Sequence, residues 1–286
     1  MVMARYHRFF SLFFPKRWLP FILASLLALG FSLGLAQLSQ AQSWLDLLFQ
    51  GVQVLQLSNL SSGQEVRLGQ QINQQLLQQG QVRLARNQPL NRYIDQIGQR
   101  LARTSARPDL PYTFQVVNDR NINAFATMGG FVYVNSGLVA AAENEAELAS
   151  VMAHEIAHIS ARHAVNRLRD VALSQGLMTA AGLQESTLVR LGVELAFNLP
   201  MSREAELEAD SLGLRNLIQA GYAPLGMITF MQKLQRRGSA APEFLSTHPL
   251  TNNRILALQR AITPQQARRG EGLDPAAYQA QLQQFR

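Results

Sequence analysis

The stretch "AELASVMAHEIAHISARHA", residues 146–164, sets His154 and His158 four positions apart with Glu155 beside the first. On a helix, residues i and i+4 lie one above the other. The two imidazoles therefore point toward one spot, with a carboxylate next to them. Neutral imidazole is a good zinc ligand, and a catalytic zinc site takes three protein ligands and a water. A glutamate at this position takes the proton from that water. The competing reading is a solvated helix face carrying two unrelated histidines. The flanks oppose it, because Val151, Met152, Ala153, Ile156, Ala157 and Ile159 are apolar. Histidines and an acid on a largely buried helix need partners.

A third ligand has to come from elsewhere. The metzincin pattern needs a histidine at 164, which is Ala164. His163 is one residue short and, on a continuous helix, about 140° from His158; it reads as a surface histidine. Downstream, "MSREAELEADSLGLRNLIQAG" (201–221) offers four acids. At about 100° per residue, Glu204 and Glu208 fall with Ser211, Arg215 and Gln219 on a polar side. Glu206 and Asp210 fall with Gly213, Leu214, Leu217 and Ala220 on the other. Carboxylates on an apolar face need compensation. Glu206 as the third zinc ligand, with Asp210 accepting the N–H of a ligating histidine, supplies it.

The chain has 286 residues, 47% hydrophobic and 16% charged, with a formal charge of +7. Arg5, Arg8, Lys16 and Arg17 lie in residues 1–41, which contain no acid, so the remainder (22 basic, 19 acidic) carries +3. That remainder has no basic cluster of the kind a nucleic-acid footprint requires. Without cysteine there are no disulfides, thiolate metal sites or lipidated cysteines. Basic residues, the apolar run "FILASLLALGFSLGL" (21–35), then Ser39 and Ala41 before Gln42 follow the order of a secretory leader. The alternative is a retained anchor over Trp18–Leu38, about the length of one span. Either implies export to the periplasm or cell envelope. Residues 42–62 read as an amphipathic linker, whose "WLDLLFQGVQVLQL" (44–57) packs on the domain or rests on a membrane surface.

Residues 63–286 read as one domain without internal repeats. Leu68, Ile72 and Leu76 mark a helix over 63–79, with Ser62 and Glu65 as its capping box. A second helix is expected over Leu90–Arg103 and a strand over Tyr112–Val117. "NAFATMGGFVYVNSG" (123–137) reads as a hairpin around Gly129-Gly130. One helical pattern runs from Glu143 to about Arg169, with two weaker ones in 171–199. A strong helix over Ser202–Ala220 and two or three more complete the chain.

"EAELASVMAHEIAHISARH" and "MSREAELEAD", together with the Leu-Gly at 68–69, "NAFATMGGFVYVNSGL" and "LSTHPLTNNRI", resemble the zinc metallopeptidase family that includes HtpX, the CAAX prenyl proteases and the envelope proteases BepA and LoiP. The resemblance spans roughly 61–262. It implies an α+β fold of gluzincin type, mostly helical, with a small sheet whose edge strand faces the cleft. It implies zinc held by His154, His158 and Glu206, and Glu155 as general base. Asn123-Ala124-Phe125 is similar to the edge strand that pairs with an extended substrate, with Gly129-Gly130 leaving the approach clear; an ordinary capped hairpin is the alternative. His248, in "STHP", matches a histidine that either blocks the open zinc position or stabilises the oxyanion. Arg254 matches an arginine that assists. Polypeptides, misfolded or misassembled envelope proteins among them, are the implied substrates. Several members have many membrane spans and this sequence offers at most one, which argues against prenylated-protein processing. A non-proteolytic chaperone using the same groove is the rival; loss of Glu155 would mark it, and Glu155 is present.

Overall fold

A computed structural model describes residues 60–174, 184–198, 200–236, 243–249 and 251–285. The leader or anchor, and nearly all of the linker, lie outside the described residues. From the N-terminal side come α1 (Ser62–Gln78), α2 (Gln88–Ala102), β1 (Thr113–Val117), β2 (Ala124–Thr127), a 3-10 turn (Met128–Gly130), β3 (Phe131–Asn135) and α3 (Ser136–Ala141). Then follow α4 (Glu145–Ser160), α5 (His163–Ser174), α6 (Glu185–Asn198), α7 (Arg203–Gln219) and α8 (Leu225–Arg236). The last described elements are α9 (Phe244–Thr247), α10 (Asn252–Ala261), α11 (Pro264–Ala267) and α12 (Pro275–Gln283). The architecture is α+β and mostly helical, as expected. No helix among the described residues is long and apolar enough to cross a membrane.

The three strands are ordered β1-β3-β2, with β1 parallel and β2 antiparallel to β3. Period-2 alternation lets this small sheet separate two cores. Val132 and Val134 of β3 join Phe114 and Val116 of β1 in one core, with α2, α4, α7 and α8. Phe131 and Tyr133 face the other way, into a second core with Leu68, Ile72 and Leu76 of α1. Central β3 is buried along its whole length, whereas β2 is an edge. At the centre lies α4, in which every residue from Ala146 to Ile159 is buried. Its sequence is hydrophobic nearly all round, which is what a wholly enclosed helix needs.

Three local readings are corrected, and the expected hairpin is present. The capping box of α1 is Ser61 with Gln64, not Ser62 with Glu65. Because the helix starts one residue earlier, Glu65 turns inward. It is fully buried and accepts two bonds from Arg107, at 3.0 and 2.9 Å, with Arg162 Nε at 3.4 Å. The single helix expected from Glu143 to Arg169 is two, because Arg162 adopts φ 59° between α4 and α5. A left-handed residue with a Cβ costs roughly 1–2 kcal/mol. The Leu60 carbonyl, 2.7 Å from Arg162 Nη2, and Glu65 hold it there. The hairpin has a 3-10 turn at its tip, where Gly129 adopts φ 80°. Beyond α7 there are five helical segments among the described residues rather than two or three, two of them single turns, α9 and α11.

The turn Met128–Gly130 sits directly on α1. A Cβ added to Gly69 would stand 2.1 Å from the Met128 carbonyl oxygen, and backbone cannot swing aside as a side chain does. Overpacking of this kind costs about 1–3 kcal/mol. Gly69→Ala is accordingly expected to lower the unfolding free energy by that amount, measured by chemical unfolding; an unchanged value would contradict the packing.

Candidate metal centre

Four elements converge on one buried point. α4 brings His154, Glu155 and His158, and α7 brings Glu206 and Asp210. His248 follows α9, and Arg254 lies on α10. All seven side chains are only 1–3% exposed. The Nε2 atoms of His154 and His158 face each other at 3.0 Å. Glu206 Oε1 lies 3.3 Å from His158 Nε2, and Oε2 lies 3.5 Å from His154 Nε2. His248 Nδ1 is 3.0 Å from Glu206 Oε1 and 3.4 Å from His154 Nε2. Four donors around an ion at about 2.0–2.1 Å stand roughly 3.3 Å apart when tetrahedral. The observed separations bracket that value, and no sulfur is involved. This donor set fits a divalent ion such as zinc.

The charges point the same way. Three buried carboxylates, Glu155, Glu206 and Asp210, share one buried guanidinium, that of Arg254. With neutral imidazoles, the pocket is short of two positive charges. Arg254 is committed behind the donors: Nε and Nη2 each bond Asp210 at 2.7 Å, and Nη1 donates to the Pro249 carbonyl. Nη1 also stands 2.5 Å from Glu206 Oε2, yet that oxygen makes no aligned hydrogen bond. Glu155 Oε1 makes none either, with His248 Nε2 at 3.4 Å. Buried oxygens without bonds are costly, and both Glu206 oxygens also face imidazole nitrogens of the cluster.

Proton affinities follow from the same arrangement. Burial alone would push His154 down, but Asp210 and Glu206 outweigh it and hold it at about 9. Burial drives His158 well below the usual histidine value, the Glu206 contact opposing it. Burial raises Glu155, against the pull of His248 and His154. For Glu206 the upward push of burial is overcome by the three histidines, which leave it well below the carboxylate range. Asp210 is likewise lowered against burial, by Arg254 and His154.

The acids of α7 sort as their periodicity predicts: Glu206 and Asp210 face α4, while Glu204 and Glu208 are exposed. Asp210 Oδ1 lies 3.1 Å from His154 Nδ1, the far side of the ring from the donor atom. His163 is the residue misread. It is 8% exposed rather than a surface group, with Nδ1 2.8 Å from His158 Nδ1. The 140° separation assumed one unbroken helix, and the turn at Arg162 removes it.

The strand residues are more mixed. Phe125, Ala126 and Thr127 of edge strand β2 line a cleft together with Glu155, His158 and His248. Ala124 is buried, and the Phe125 ring stacks on Tyr133 at 4.4 Å. Asn123 donates to Glu243 Oε1 at 3.2 Å. Gly129 and Gly130 lie in close contact with neighbouring backbone. An added Cβ at Gly129 would meet the Glu65 carbonyl at 2.8 Å, and one at Gly130, where φ is 98°, the Pro111 carbonyl at 3.0 Å. At both positions close backbone packing calls for glycine.

Removing Arg254 would take from Asp210 the buried guanidinium that pairs with it through two bonds. Breaking a buried pair in this way costs roughly 3–5 kcal/mol. Arg254→Met should therefore lower the unfolding free energy of the metal-free protein by about that much, read from denaturant titration; a loss below about 1 kcal/mol would contradict the pairing.

Comparison with known proteins places this geometry. The beta-barrel assembly-enhancing protease of Escherichia coli strain K12 is 35% identical over 214 residues, 69% of this chain and 44% of that protein. Its Vibrio cholerae counterpart is 38% identical over 194 residues, 60% of this chain and 40% of the relative. The mitochondrial metalloendopeptidase OMA1 of Schizosaccharomyces pombe is 30% identical over 187 residues, 63% of this chain and 56% of the relative. The chain thus spans between two-fifths and just over half of the length of these relatives. The profile of peptidase family M48 matches residues 88–262, from the start of α2 to the end of α10, and so takes in every side chain of the cluster. With the profile covering more than half of the sequence, the chain belongs to peptidase family M48.

Proposed function

We propose that this protein is a zinc-dependent endopeptidase acting on polypeptides of the bacterial cell envelope. The observation that carries the reading is the position of Glu155. Its carboxylate lines the cleft beside edge strand β2 while the adjacent His154 contributes to the donor cluster. Zinc, when bound, supplies a Lewis acid that brings the pKa of a water toward ~7. Everything else falls to the chain itself. His154, His158 and Glu206 hold the ion, and Asp210 and Arg254 hold those ligands. Glu155 takes a proton from the attacking water as its oxygen joins the scissile carbonyl carbon. The carbon–nitrogen bond then breaks, and Glu155 passes the proton to the departing amine. Burial favours this role, since it raises Glu155 and so suits it to hold a proton in transit.

An extended substrate would lie along the free edge of β2, pairing through backbone rather than side chains. Asn123, Ala124 and Phe125 would position that edge. His248 Nε2 lies 3.4 Å from Glu155 Oε1, and its ring is stacked on Phe244 at 4.6 Å. In this arrangement it blocks the site at rest, and the segment carrying it must move before cleavage. The envelope assignment is supported by the leader-like N-terminus and by the names of the bacterial relatives. The amphipathic linker suits contact with a membrane surface.

The test is digestion of casein by the purified chain, with and without chelator and with zinc restored. Glu155→Gln is expected to cut the rate by roughly 10²–10⁴-fold, the usual contribution of a general base, while zinc content stays at one per chain. Glu206→Ala should lose the zinc. Full activity in Glu155→Gln, or full zinc in Glu206→Ala, would reassign those roles.

A further inference from the structure

His163 is not among the donors, yet it touches one of them. Arg162 holds a backbone conformation that residues with a Cβ avoid, and such strain persists where the surroundings impose it. The result is that α5 begins at His163 with its ring against His158, the ring centroids 4.9 Å apart. The contact is between the two Nδ1 atoms, at 2.8 Å. The remaining nitrogen of His163, Nε2, lies 3.3 Å from Glu208 Oε2. Sequence distance hides the set: 158, 163 and 208 sit on three different helices.

Hydrogen-bond bookkeeping fixes where the protons go. His158 turns Nε2 to the cluster, so that atom must carry a lone pair if it is to bind a cation. A neutral imidazole has one N–H, which therefore sits on His158 Nδ1. The only ring nitrogen it meets, His163 Nδ1, has to accept. The hydrogen of His163 is then on Nε2, aimed at the Glu208 carboxylate. On the other ligand, Asp210 stands directly at His154 Nδ1 at 3.1 Å. One histidine is thus backed by a carboxylate, and its partner by a histidine with a carboxylate behind it.

We infer that His163 is a positioning residue of the metal centre: with Glu208 behind it, it holds the His158 ring in the Nδ1–H form that leaves Nε2 free to bind an ion. The inference rests on the metal reading above. Partners of this kind are worth roughly 10–100-fold in metal affinity.

The test uses the full chain and zinc itself, titrated in competition with a chromophoric chelator. His163→Leu removes the acceptor and should weaken zinc binding by roughly 10–100-fold. His163→Gln offers its amide oxygen to the same hydrogen and should restore most of the loss, which a merely structural role would not do. Glu208→Leu, at an exposed position where folding is not at risk, should show a smaller loss in the same direction. Nitrogen-15 spectra of histidine-labelled, zinc-loaded protein should place the His158 hydrogen on Nδ1. Zinc binding by His163→Leu or by Glu208→Leu as tight as by the parent would overturn the inference, as would glutamine doing no better than leucine. A hydrogen found on His158 Nε2 would do the same. A parent chain that takes up no zinc fails differently, since it overturns the metal reading first.

Discussion

The structure depends on a shortage of positive charge at its centre. Glu155, Glu206 and Asp210 are all buried around a single guanidinium, and three imidazoles lie between them. Burying one unpaired carboxylate is expensive, and burying several is tolerable only with compensation. Arg254 answers for Asp210 with two bonds. What remains is a Glu206 oxygen without a hydrogen bond and a ring of nitrogens about a tetrahedral edge apart. The fold spends its most enclosed helix, α4, on building this arrangement rather than on apolar packing alone.

That choice explains how the surrounding elements are disposed. α7 crosses α4 on the face that carries Glu206 and Asp210, so two short acidic side chains reach the histidines without leaving the core. α10 then has to cover the same spot, because Asp210 needs a cation behind it. Edge strand β2 borders the cleft that Glu155, His158 and His248 line.

Much of this was legible in the sequence because it follows from helical periodicity. The spacing of His154 and His158, and the division of the α7 acids into inward and outward pairs, need only a regular helix. What periodicity cannot carry is a break in it. Nothing in "ISARHA" (159–164) announces that Arg162 will turn left-handed. The cause lies about a hundred residues away, in Glu65 and the Leu60 carbonyl. His163 and Glu208 were passed over for that reason. The glycines show a second limit: a Gly-Gly pair signals close approach, but only the fold says by what. Here the neighbours are the backbones of α1 and of Pro111. The fourth donor, His248, sits in a non-helical segment whose course is set by Phe244 and Glu243 meeting residues 121–123. Only the resemblance to a family, not any pattern in the residues, singled it out beforehand.

The central claim is that two imidazoles of α4 and one carboxylate of α7 bind a single divalent ion. Anomalous diffraction at the zinc edge from a crystal of the zinc-loaded protein tests it most directly. The account predicts one strong peak, about 2.0–2.2 Å from His154 Nε2, His158 Nε2 and a carboxylate oxygen of Glu206. A peak elsewhere, or a folded protein that shows none after zinc loading, would contradict it.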